Sequence, residues 1–65
     1  MKVFFEEGAR ARYEGTSPEE TFKRLHIHLG MGYHREQIAV REGWNFMNQY
    51  LLMQEIQEEL KGSNE

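Results

Sequence analysis

The chain's three histidines, His26, His28 and His34, fall close together and are followed at once by Glu36. Imidazole and carboxylate groups bind zinc and pass protons, so their spacing decides what they can do. His26 and His28 are two apart, about 200° around a helix, and would share an ion only on an extended segment. The helical zinc spacing, two histidines three or four apart as in HExxH, does not occur. His28 and His34 bracket Gly30 and Gly32 and could converge with Glu36 across a turn, although nothing in the pattern requires it. There is no cysteine, which excludes disulfides and thiolate zinc sites. The serines, Ser17 and Ser63, read as a helix cap and a tail, which leaves His34 and Glu36 as an acid–base pair. Sixty-five residues provide little volume for a closed pocket. The expectation is a protein that is not an enzyme, with no metal, no cofactor and no small-molecule substrate.

The second chemical candidate is a pair of arginines. Residues 9–13, ARARY, alternate strictly. In a strand, Ala9, Ala11 and Tyr13 would face one side and Arg10 and Arg12 the other. ARARY, then SPEETFKRLHIHLG, then HREQIAVREGW resembles the ribbon-helix-helix order over roughly residues 9–53. That resemblance implies a dimer whose paired strands enter the DNA major groove. Arg10 and Arg12 would read guanine edges, and Lys23 and Arg35 would touch phosphate. The chain departs from it in its net charge of −3, its additional segment KVFFE and its longer turn. The segment EQIAVREGWNFMNQYLLMQEI also resembles a helix-turn-helix core, with Ala39, Gly43, Trp44 and Leu52 at its small, turn and apolar positions. It departs at Glu42 and Gln49, and its second helix has no basic residue before Lys61.

These residues need elements to position them. KVFFE (2–6) is rich in β-branched and aromatic residues and reads as a strand. With ARARY it forms an N-terminal β-hairpin turning at Gly8. Ser17 is a good N-cap, Pro18 suits the first helical position and Glu20 completes a capping box. Phe22, Leu25 and Leu29 then form one apolar stripe, predicting a helix over 18–29 that ends at Gly30. After the turn Met31-Gly32-Tyr33, the pattern permits one long second helix from His34 or Arg35 to about Lys61, bent at Gly43, or a short helix over 35–42 followed by a longer one from Asn45; the long helix is preferred. The fold class expected is small α+β, one domain over residues 1–62, with 63–65 as a frayed tail.

The second helix has two apolar faces. Val40, Trp44, Met47 and Leu51 cluster on one. Phe46, Tyr50, Met53, Ile56 and Leu60 lie roughly opposite, with Ile38 and Leu52 at the edge. One helix and one hairpin cannot cover both, and a helix apolar on opposed sides must be buried on more than one. A small core is also marginal by itself. The sequence therefore predicts a homodimer, or a higher oligomer, built on this helix. A second protein partner is expected as well, and the interface anchors are Tyr33, Val40, Trp44, Phe46, Met47, Tyr50, Leu51 and Met53. Aromatic and methionine side chains suit such adaptable contacts.

No apolar run approaches the roughly 20 residues of a membrane span, and the N-terminus carries charges where a signal peptide needs an apolar stretch. A cytoplasmic location without membrane contact is expected. A small regulatory or adaptor protein, of a size that phages and mobile elements encode, is the functional reading. A DNA-binding regulator is its alternative.

Overall fold

The computed structural model describes residues 1–27, 30 and 32–63. Within them the chain forms three helices: α1 (Lys2–Tyr13), α2 (Pro18–Arg24) and α3 (His34–Ser63). No strand occurs among the described residues, so the expected α+β class is wrong, and the N-terminal hairpin is a helix. Glu6, Glu7, Ala9, Arg10, Ala11 and Arg12 are good helix formers, and they outweigh the aromatic pair Phe4-Phe5. The alternation of ARARY misleads because Ala11 and Tyr13 do not share a face on a helix, and Ala11 is buried while Tyr13 is exposed. On the helix, Phe4, Gly8 and Ala11 share a face at i, i+4 and i+7, and Gly8 and Ala11 are buried.

Both short helices end in the same hydrogen-bonded turn. At the end of α1, the Gly15 N–H donates to the Arg12 carbonyl (3.0 Å) and the Thr16 N–H to the Ala11 carbonyl (2.8 Å). Gly15 sits at φ 84°. At the end of α2, the His26 N–H donates to the Lys23 carbonyl (3.2 Å) and the Ile27 N–H to the Phe22 carbonyl (2.8 Å). This is the Schellman arrangement, with His26 at φ 57° in the place usually taken by glycine. It explains why α2 stops at Arg24 and does not continue to the expected residue 29. The expected Leu29 position of the stripe lies outside the described residues. Ser17 caps α2 as the sequence indicates, its side chain accepting from the Glu20 N–H.

The chain rises through α1, returns along α2 and rises again in α3. Phe4 packs on the cluster of Phe22, Ile27 and Val40, while Arg12 reaches Asn48. Helices α1 and α3 therefore run in the same direction. Their crossing is held at Gly8 and Gly43. A Cβ built on Gly8 would overlap the Val40 carbonyl oxygen and lie 2.8 Å from its carbon. One on Gly43 would overlap the Phe5 carbonyl oxygen and lie 3.1 Å from the Ala9 nitrogen. Each glycine thus meets the residue three before the other, and the two backbones touch. Gly43 does not interrupt α3; it is the point where α1 is admitted. Arg24 closes the arrangement with an ion pair to Glu7.

These contacts predict opposite signs for similar substitutions. Gly8→Ala or Gly43→Ala should each cost about 2–3 kcal/mol in urea denaturation, because overpacking against backbone exceeds the gain in helix propensity. Gly62→Ala, whose Cβ meets nothing within 4 Å, should stabilise by up to about 1 kcal/mol. His26→Gly should raise stability by about 1 kcal/mol, removing the left-handed strain of a residue with a side chain; an unchanged midpoint would contradict that account.

Candidate protein-binding face

Helix α3 is 30 residues long, about 45 Å at the usual rise, whereas α1 has 12 residues. The inner side of α3 is occupied. Val40 is fully buried, with Ala39 beside it, and Gly43 is also buried; Trp44, Met47 and Leu51 are half-buried. The Trp44 indole N–H donates to the Thr16 carbonyl at 2.7 Å, fastening the α1–α2 junction to α3. Arg12 lies over the Trp44 ring (5.7 Å to its centroid), and its Nε donates to Asn48 Oδ1 at 2.8 Å.

The outer side faces solvent. Phe46 is 59% exposed, Met53 57% and Leu60 59%, with Tyr50, Leu52 and Ile56 about half exposed. Phe5 touches only the top of this stripe, its ring 5.7 Å from that of Phe46. The two opposed faces read from the sequence are both present, one filled by α1 and α2 and the other exposed to solvent, with Phe5 of α1 against its upper end. Among the expected interface anchors, Phe46, Tyr50 and Met53 lie on the exposed face, and Tyr33 is exposed just before α3. Val40 belongs to the core, and Trp44, Met47 and Leu51 point toward it. Ile56 and Leu60 were not among those anchors. The spacing 46, 49, 53, 56, 60 marks them, since it alternates three and four.

The cationic residues are not arranged to read DNA in the expected ways. On a helix, Arg10 and Arg12 diverge by about 200°. The Arg10 Nε donates to Glu14 Oε1 at 2.9 Å. That hydrogen bond, followed by the charges of Glu14 and then Glu7, raises its pKa above the ordinary arginine value. Lys23 and Arg35 are exposed on α2 and on the first turn of α3. Arg41 lies over the Phe22 ring at 5.2 Å. A ribbon-helix-helix needs a strand at Arg10 and Arg12, and a helix-turn-helix needs a turn at Gly43; both positions are helical.

His26 ends α2, His34 begins α3, and His28 lies outside the described residues. Among the described residues no three side chains of His, Cys, Asp or Glu gather as a metal site. No described helix is long and apolar enough to cross a membrane. An open groove of about 440 Å³ between the end of α1 and α2 is lined by Glu14, Thr16, Glu20, Thr21, Lys23 and Arg24, of mixed charge. Comparison with protein-family models, curated proteins and solved structures finds no match.

The two arginines should separate in a stability measurement. Arg12→Ala removes a part-buried hydrogen bond and the packing over Trp44, and should cost about 1–2 kcal/mol. Arg10→Ala removes only an exposed pair and should stay within about 0.5 kcal/mol. Equal effects in urea melts would refute this division.

Proposed function

We propose that the chain is a non-enzymatic binding domain of regulatory or adaptor type that works by pairing with a second copy through the outer face of α3. The observation that carries the reading is the exposed apolar stripe, from Phe46 to Leu60. Exposed patches of this kind mark interaction sites. The surface area supports the same reading. The chain exposes 5221 Å², whereas a compact monomer of its 7.8 kDa exposes about 4,400 Å². The surplus, roughly 800 Å², matches what one partner contributes to an interface of standard size. The radius of gyration, 14.6 Å, likewise exceeds the roughly 11 Å of a compact 65-residue domain.

Pairing on the outer face leaves the head, formed by α1, α2 and the upper part of α3 on which they pack, free to meet a different protein. Sedimentation equilibrium tests the core of the reading. The chain should be mostly dimeric at about 100 μM, with dissociation on dilution to the low micromolar range, as two copies joined by one short helical seam would show. Met53→Glu and Ile56→Glu should each give monomers while leaving the Trp44 environment and the unfolding of the head unchanged. A monomeric parent chain at about 100 μM would overturn the proposal.

A further inference from the structure

We infer that the two copies of α3 pair in parallel and in register, with the side chain of Gln49 meeting its own counterpart. This inference rests on the pairing proposed above and specifies its geometry. Phe46, Gln49, Met53, Ile56 and Leu60 are separated by three, four, three and four residues. That is the a/d repeat of a two-stranded coiled coil, on a face of α3 that Phe5 of α1 meets at its upper end, at Phe46. Phe46, Met53 and Leu60 take the a positions; Gln49 and Ile56 take d. One turn higher the next d residue is Glu42, which would face a like charge, so the seam begins at Phe46.

Gln49 decides the orientation. In an antiparallel pair, a d residue always faces an a residue of the other copy. All three a residues are apolar, so every antiparallel alignment that buries the Gln49 amide leaves it without a hydrogen-bonding partner. A parallel pair shifted by one heptad sets it against Ile56 of the partner subunit, with the same result. Only the in-register parallel pair places amide against amide, where each can both donate and accept. A buried polar group is tolerated when it is paired and penalised when it is not. The flanking positions agree. In parallel, Asn45 meets the partner's Tyr50 and Leu52 the partner's Gln57, so no apolar flanking residue is set against a charge. In the antiparallel alignment that joins Met53 to Ile56, Leu52 is set against the partner's Glu59. Parallel pairing also places both heads at one end of the seam, so that a target would meet two copies of the head side by side.

The chain has no cysteine, so a single introduced thiol reports the arrangement. Leu60→Cys sits at an a position and meets itself only in the parallel in-register pair. Treated with oxidised glutathione at about 100 μM, it should become a disulfide-linked dimer for most of the protein. Glu55→Cys, on the opposite side of α3, should remain largely uncrosslinked. Adding Gln49→Leu to Leu60→Cys should tighten association roughly tenfold yet lower the crosslinked fraction about twofold, since antiparallel pairs are then no longer penalised. A sedimenting dimer in which Leu60→Cys fails to crosslink overturns the parallel geometry and leaves the pairing intact. A crosslinked fraction unmoved by Gln49→Leu overturns the role given to Gln49. A monomer by sedimentation overturns both the pairing and its geometry.

Discussion

The carbonyl oxygens of Val40 and Phe5 can lie against the opposite helix only because Gly8 and Gly43 carry no side chain. The rest of the head follows from that approach. With the α1 and α3 backbones in contact, Phe4 reaches the cluster of Phe22, Ile27 and Val40, and a seven-residue α2 suffices to cover it. The close approach also brings Arg12 over Trp44 and Trp44 to the Thr16 carbonyl. A core of so few large side chains stays closed because its helices are near enough for each to touch several others. Such close crossings are built by small residues and favoured by weak Cα–H···O contacts. They are also intolerant, since nothing at the contact can rotate away.

How much of this was legible depends on what each residue answers to. Ser17, Pro18 and Glu20 act through their own backbone, and the start of α2 is where the sequence places it. The two apolar faces of α3 follow from helical periodicity alone and are also as read. The hairpin failed because Gly8 has a tertiary cause. A glycine between two short apolar segments looks like a turn, and only the position of α3 shows it to be a contact. Gly15 was the more informative glycine: followed directly by Thr16, Ser17 and Pro18, it is the end of one helix just before the start of another. The end of α2 was hidden for a related reason. Gly30 has the right chemistry for a helix stop, yet His26 takes that role, because placing Ile27 back on Phe22 repays the left-handed backbone. The histidine that suggested a metal is a structural end-cap.

The face on which function is placed is legible in part, and the limit is again tertiary. Val40, Trp44 and Met47 could not be assigned to core or interface until α1 was known to be a helix lying on them. Once that side is filled, the 46–60 spacing stands alone, and its polar member becomes its most informative residue. In the proposed pairing, an apolar seam without Gln49 would give association but no preference for direction.

In the proposed pairing, the lower half of α3 brings stability and association together. Beyond Asn48, where Arg12 makes its contact, the helix continues to Ser63 with none of α1 or α2 along its outer side. A helix of about fifteen residues is marginal in water by itself. Its leucines, glutamines and glutamates favour it, but Glu58 and Glu59 lie toward the negative end of its dipole, where Lys61 is the only cation. If α3 pairs as proposed, pairing also favours the helical form of this half, and the two equilibria are linked by mass action. Gln49 sits one residue past Asn48, at the end of the seam nearest the head. In the pairing we propose, the residue that would set register thus lies on the part of α3 that tertiary contacts already hold, and pairing would be aligned there before the more weakly supported turns below it close.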